Sequence, residues 1–186
     1  YDLTEYRSNV YNFNLLTHNR ITCLKEDEQK NLYIGTNEGL NILNKKTGHI
    51  IKSKHPQFSR NYIASITQTA EGEIWVGTNN GLYNYCLEKD SCHKILDKTI
   101  KGMLVDSKQN IWVGTWSEGL FRYHPKDKKW IEYPQLNEYN SAHVIFEDSQ
   151  NRIWIGSFGK GITLLQHPYD MKKLSWITFS AEDPTN

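Results

Sequence analysis

Only three cysteines occur in 186 residues, too few for a disulfide scaffold and too few to fix a redox compartment. Neither sign of charge is in excess. Against 22 Lys and Arg stand 21 Asp and Glu, a formal net charge of +1, which excludes the basic surplus that a nucleic-acid or anionic-membrane binder needs. Long apolar runs are missing too: no stretch approaches the roughly 18 residues of a membrane span, so no membrane insertion is expected of this segment. Tyr1-Asp2-Leu3-Thr4-Glu5 offers neither a basic nor an apolar leader region, and without an initiator methionine the chain is expected to be a mature or excised form. None of the seven histidines pairs at a metal-ligand spacing, and the cysteines lack histidines at zinc-finger distances, so neither a metal nor a cofactor is expected. A Gly-x-Ser-x-Gly elbow and a phosphate-binding glycine loop are likewise absent from the sequence.

What remains is enough apolar material for a core, 38% of residues, with 11 Tyr, 6 Trp and 12 Gly, a mixture that fits strands joined by tight turns. The chain repeats itself. Leu32-Tyr33-Ile34-Gly35-Thr36, Ile74-Trp75-Val76-Gly77-Thr78, Ile111-Trp112-Val113-Gly114-Thr115 and Ile153-Trp154-Ile155-Gly156-Ser157 align, with their glycines spaced by 42, 37 and 42 residues. A second glycine follows each (Gly39, Gly81, Gly119, Gly161), then Leu40, Leu82, Leu120 or Ile162. Eight residues before the first glycine stand Asp27, Thr69, Asp106 and Asp148, preceded by an apolar run such as Ile21 to Leu24.

Each unit reads as four short strands: an apolar strand, a polar Asp turn, the Trp-Val-Gly-Thr strand, a tight hairpin such as Asn80-Gly81, a third strand, a polar loop and a fourth strand. Almost no helix is expected. A repeat of roughly 40 residues with both faces apolar is a β-propeller blade, because only stacking buries both faces. The fold is therefore expected to be all-β, with four four-stranded antiparallel blades at about 19–59, 60–97, 98–137 and 138–180, and with 1–18 and 181–186 belonging to adjacent units. Tyr33, Trp75, Trp112 and Trp154 should occupy equivalent buried positions between blades.

The pattern of Asp turn, Ile-Trp-Val-Gly-Thr, short turn, Gly-Leu and aromatic resembles the two-component regulator propeller repeat. The resemblance runs from about Ile21 to Phe179, with Tyr33 and Thr69 departing from the usual Trp and Asp. It implies an arc of a larger propeller, usually of about seven blades, within the periplasmic sensor region of a hybrid two-component regulator. Such regions sense oligosaccharides released from glycans and signal to a histidine kinase. This chain would be part of the sensor only, with the remaining blades or a second copy covering its open faces. The alternatives are a structural or protein-binding propeller and, more distantly, a propeller glycosidase or lyase.

Binding is favoured over catalysis. Asp27, Asp106 and Asp148 recur with the repeat, and an Asp before a tight turn most simply bonds its own turn amides. A glycosidase needs two carboxylates converging on one bond, so no catalytic residue is assigned. The loops between second and third strands, and those leading into the first strands, should open on one face of the blades. They nominate Asn37, Asn79, Trp116, Glu118, Phe158, Lys160 and Arg60, with Phe58 nearby. Sugars stack on aromatic rings, and Trp116 and Phe158 could supply the platform; the plainer reading is a turn one residue longer in units 3 and 4.

Cys86 and Cys92 flank the polar loop 87–91, at positions expected to oppose one another across a hairpin, which places them within disulfide range. Periplasmic location, implied by the resemblance, would permit the bond; the alternative is two reduced thiols on a surface loop. Cys23, in an innermost strand, should be a buried free thiol.

Overall fold

The computed structural model describes residues 15–133 and 141–181. They form sixteen strands and, among the described residues, no helix: β1 (Ile21–Glu26), β2 (Asn31–Thr36), β3 (Gly39–Asn44), β4 (Ile50–Lys52), β5 (Ile63–Gln68), β6 (Ile74–Thr78), β7 (Gly81–Cys86), β8 (Ser91–Leu96), β9 (Ile100–Val105), β10 (Ile111–Thr115), β11 (Leu120–His124), β12 (Lys129–Tyr133), β13 (Ala142–Glu147), β14 (Ile153–Ser157), β15 (Gly161–Gln166) and β16 (Ser175–Phe179). Each consecutive set of four makes its own antiparallel meander, β1-β2-β3-β4 and so on. Two compact units divide between Asp97 and Lys98, each containing two sheets. No helix among the described residues is long and apolar enough to cross a membrane.

Within each unit the two sheets stack. In the first, Tyr33, Leu40 and Ile42 meet Ile66, Ile74, Val76, Tyr83 and Tyr85 of the second sheet. In the second, Trp112, Leu120 and Tyr133 meet Ile145, Ile153, Ile155 and Leu165. The first strands of the stacked sheets run beside each other, β1 by β5 and β9 by β13. That approach explains two of the repeated glycines. A Cβ on Gly35 would press on Cys23 Sγ and come within 2.8 Å of Ile63, and one on Gly114 would run into the Ala142 carbonyl. Ile63 and Ala142 are the first residues of the neighbouring sheets' first strands, so this glycine is where the next blade crosses.

The turn acids behave as expected of turn acids. Asp27 accepts from the Asn31 amide (2.7 Å) and Asn31 Nδ2 (2.9 Å). Asp106 accepts from the Lys108 and Asn110 amides and, through Oδ2, from the Trp112 indole at 2.7 Å. Asp148 repeats this with Gln150, Arg152 and the Trp154 indole at 2.8 Å. Where Thr69 replaces Asp, its hydroxyl caps the Glu73 amide and the Trp75 indole turns to Glu73 Oε2 instead. The tryptophan is thus specified both by apolar packing and by one hydrogen bond from its ring nitrogen.

Two expectations need correction. Tyr33, Trp75 and Trp112 are buried, but Trp154 is only half-buried, because its face of the fourth sheet is uncovered: Val144 is 63% and Phe146 58% exposed. And Cys86 and Cys92 form no disulfide; all three cysteines are free thiols. The register pairs Cys86 with Ser91 and Tyr85 with Cys92. The two cysteines are therefore offset by one residue, and one residue along a strand moves a side chain to the opposite face. Cys92 Sγ lies instead 3.3 Å from His55 Nδ1. Cys23, half-buried against Gly35 and Thr22, is pushed up to about 11 by burial.

Candidate functional site

Three repeated hydrogen-bond devices place the nominated loops on one rim of each blade. The threonine closing the second strand caps the following hairpin: Thr36, Thr78 and Thr115 hydroxyls donate to the carbonyls of Gly39, Gly81 and Gly119, and accept from the amides of Glu38, Asn80 and Glu118. The next amide ties the hairpin to the lead-in of the first strand, Asn37 N to Arg20 O, Trp116 N to Thr99 O at 2.9 Å, and Phe158 N to Ser141 O. Finally, each first strand carries a bulge one residue in, at Thr22, Ala64, Lys101 and His143, where the ladder to the second strand skips a residue. A bulge re-aims the side chain it carries.

In the first unit these positions are small or polar. Asn37 is half-buried; Asn79, Asn80 and Arg60 are exposed, Arg60 with a left-handed backbone. The bulge side chains are Thr22, whose hydroxyl donates to the Ile63 carbonyl, and Ala64. Phe58 is not on the rim: it is fully buried, edge-on to Tyr83 and Tyr85 at 5.7 and 5.2 Å.

The second unit differs in kind. Trp116 and Phe158 are 47% and 72% exposed, and their rings lie 6.3 Å apart. His143 stands with both, 5.4 Å from Trp116 and stacked on Phe158 at 5.8 Å. Lys101 holds its ammonium 4.5 Å from the Trp116 ring centre, within cation–π range. Glu118 is ion-paired with Lys98, which also lies over Phe121, while Lys160 is exposed in the Phe158 hairpin. Burial, reinforced by the Lys101 charge, lowers the His143 pKa, so the imidazole is a neutral ring at pH 7. Its Nε2 is out of water and without a partner. Sequence reasoning found Trp116, Glu118, Phe158 and Lys160 and missed Lys101 and His143. Their signal was available, since both follow the first apolar residue of an innermost strand, where the other units have Thr22 and Ala64.

Among the described residues the arrangement offers aromatic faces and ammonium groups but no paired acid and base. Two clefts lie on the Asp-turn side of the blades: one of about 380 Å³ in the first unit, lined by Asp27, Glu71, Glu73 and Glu88, and one of about 490 Å³ in the second, lined by Lys108, Arg152 and Tyr169. Among the described residues no cluster of His, Cys, Asp or Glu could hold a metal ion. The second unit's Asp side is latched from within. Arg122 is buried beside Trp112, Tyr133 and Tyr169 and donates to the Pro168 carbonyl, as does Tyr133; the Tyr169 hydroxyl donates to Asp106.

The family model described as two component regulator propeller matches residues 15–38, 57–80 and 137–159. Those three segments are similar to the two component regulator propeller repeat. Over 181 residues it is 28% identical to histidine kinase P4 of Formosa agariphila, covering 82% of this chain and 13% of that protein. Among solved structures it is similar to the extracellular domain of a hybrid two component system of B. thetaiotaomicron (TM-score 0.75, 21% identity, 95% of this chain and 24% of that one). It is similar too to virginiamycin B lyase of Staphylococcus aureus (TM-score 0.70, 17% identity, 95% and 59%). The chain thus spans a small part of the relative it matches, and the solved structures share the propeller fold.

Proposed function

We propose that this chain is a non-enzymatic segment of the periplasmic sensor of a hybrid two-component regulator, and that it takes part in binding a glycan-derived oligosaccharide that controls a histidine kinase elsewhere in the protein. The observation that carries the reading is the exposed Trp116–Phe158 pair, held by two tethered hairpins on the rim away from the Asp turns. Exposed aromatic planes beside polar groups are what saccharide C–H faces and hydroxyls need. The turn acids, which a hydrolase or lyase would have to spare, are occupied by their own turns and, at Asp106 and Asp148, by a tryptophan indole.

A thermal-shift screen of an oligosaccharide panel tests this. A ligand at a hundred times its Kd should raise Tm by about 5–11 °C for a chain of this size, and Trp116→Ala with Phe158→Ala should abolish the shift. A shift that survives both substitutions would refute this site.

A second observation supports a structural role beside the sensing one. Val144, Phe146, Trp154 and Ile162 form a hollow almost wholly apolar in lining, on the face that in the first and third sheets is covered by the next sheet. A Cβ on Gly156 would meet nothing nearer than Val144 at 3.4 Å, unlike Gly35 and Gly114. In our reading that space receives the first strand of a further blade, in the longer protein or from a second copy.

A further inference from the structure

We propose that Arg122 anchors a second ligand site, on the Asp-turn side of the second unit, which takes the carboxylate of a small hydroxylated acid when the loop 167–174 lifts; the site is independent of the aromatic platform. The guanidinium is out of place in a blade. Opposite the tyrosine or tryptophan of the second strand the other sheets carry Ile42, Asn84 and Leu164, and only β11 carries a charge. Arg122 is 5% exposed, and among the described residues no carboxylate pairs with it. Of its five N–H donors one is engaged, from Nη1 to the Pro168 carbonyl at 2.9 Å, and the buried Nε has no partner. Three rings flank it instead, with the centroids of Trp112, Tyr133 and Tyr169 at 5.4, 5.9 and 4.9 Å. Such rings attract the cation but accept nothing from its in-plane donors. A buried charge with open donors is costly, and a plane of N–H groups is what a carboxylate fills in bidentate fashion.

A loop that the other blades lack covers Arg122. The connection from third to fourth strand has five residues in the first sheet and four in the second and third (45–49, 87–90, 125–128), but eight in the fourth, 167–174. It starts at His167, a left-handed residue with φ 52°, and its far half is bonded to itself: the Asp170 amide donates to the His167 carbonyl, the Lys173 amide to the Asp170 carbonyl and the Lys172 amide to Asp170 Oδ1. Its polar ties to the third sheet come from two residues. The Pro168 carbonyl accepts from Arg122 and from the Tyr133 hydroxyl at 2.6 Å, and the Tyr169 hydroxyl donates to Asp106. A peptide carbonyl is a neutral acceptor, and a carboxylate is the stronger partner for a guanidinium. The same two residues wall the cleft of about 490 Å³, so they stand between it and Arg122. That volume is in the range of small-molecule sites, and Lys108, Gln150, Asn151 and Gln166 around it suit a body rich in hydroxyls. The acids on this side are already bound: Asp106 by its turn and Tyr169, Glu147 by Ser107, Asp148 by Arg152 and Asp170 by the Lys172 amide. Both outer strands run away from this side, ending with Tyr133 opposite Leu120 and Phe179 opposite Ile162, so the chain leaves each at the hairpin rim.

The test is isothermal titration of the 186-residue chain with D-gluconate, with D-gluconamide as its uncharged match, followed in parallel by the indole ¹H–¹⁵N signals. Gluconate should bind roughly tenfold or more tightly than the amide, moving the Trp112 Nε1 resonance and leaving that of Trp116 in place. Arg122→Leu, which installs the residue of the fourth sheet at this place, should abolish binding and leave Tm unchanged or raised, because an apolar side chain suits the blade. Tyr169→Phe, which cuts the tie to Asp106, should raise gluconate affinity about fivefold, since less of the binding free energy goes into lifting the loop. No gluconate binding at millimolar concentration, equal binding of the amide, or binding that survives Arg122→Leu overturns the site. A Tm lowered by several degrees in Arg122→Leu makes the guanidinium a structural group and overturns it too. Affinity unchanged or lowered in Tyr169→Phe overturns the loop as the gate.

Discussion

Replacing Asp106 with alanine should destabilise the protein by about 3–5 kcal/mol. One carboxylate, 2% exposed, serves five donors: the amides of Lys108 and Asn110, Asn110 Nδ2, the Trp112 indole and the Tyr169 hydroxyl. Removing it strands three buried donors, the Asn110 amide, Asn110 Nδ2 and the Trp112 indole, since Trp112 is 0% and Asn110 3% exposed. Each buried donor left without a partner costs about 1–3 kcal/mol, and loss of a buried network belongs to the severe class of substitutions. Against a typical total of about 5–15 kcal/mol, the variant would be marginal. Asp106→Asn should cost less, about 2 kcal/mol, because Oδ1 still serves the turn amides while the new Nδ2 opposes the indole and phenol donors. The second blade shows how to repair the loss. There Thr69 caps the turn and Glu73, aligned with Asn110, takes the indole, so Asp106→Thr with Asn110→Glu should recover at least about 1 kcal/mol over Asp106→Thr alone. Urea unfolding followed by tryptophan fluorescence gives these differences. A loss below about 1 kcal/mol for Asp106→Ala would refute the view that this acid is structural and would reopen a catalytic role.

Gly114→Ala, which drives a Cβ into the Ala142 carbonyl, should destabilise by about 1–3 kcal/mol, whereas Gly156→Ala should stay within about 0.5 kcal/mol; equal effects in urea unfolding would contradict the blade-crossing argument. Thiol titration of denatured, unreduced protein should count three free thiols, and one would restore the Cys86–Cys92 bond; in the folded chain at pH 8 Cys23 should alkylate slowest, since burial raises it to about 11. Partial desolvation opposes ionisation of Asp148, but the Trp154 and Arg152 hydrogen bonds outweigh it and hold the acid well below its ordinary 3.8. Its contribution is therefore present above pH 4 and lost as the pH falls below that value, because the unfolded chain takes up the proton first; a urea midpoint unchanged between pH 5 and pH 3 would contradict this.

The blades were legible because three signals recur along the chain: a glycine in the second strand of each unit, an acid that ties the turn in three of the four units, and a hydrogen-bonded tryptophan in three of the four. Even the departures follow from chemistry, as Glu73 shows by standing in where Thr69 cannot reach the indole. Trp154 could not be assigned its partial exposure from the repeat, because burial depends on whether a neighbour covers the sheet. The cysteine pairing failed on register: a strand ending at Cys86 and a strand beginning at Ser91 place Cys92 one step out of phase, and a one-residue offset is invisible in a polar loop of undefined turn type. Phe58 was misplaced for a similar reason, since a loop residue reads as exposed until the tyrosines it plugs between are known. Of the site, the aromatic hairpins were legible as extra-long turns. Lys101 and His143 were overlooked although their place after the first apolar residue of a strand repeats, because a bulge reverses the alternation from which strand facing is read.

Indole ¹H–¹⁵N signals distinguish the two rims of the blades directly. Trp116 lies on the proposed binding platform, whereas the Trp112 and Trp154 ring nitrogens are bound to Asp106 and Asp148 on the other side. Titration with the oligosaccharide that gives the largest thermal shift should move the Trp116 Nε1 resonance in proportion to occupancy and leave those of Trp112 and Trp154 in place. Movement of the Trp112 or Trp154 resonances with Trp116 unchanged would put the ligand at the Asp turns and contradict the account.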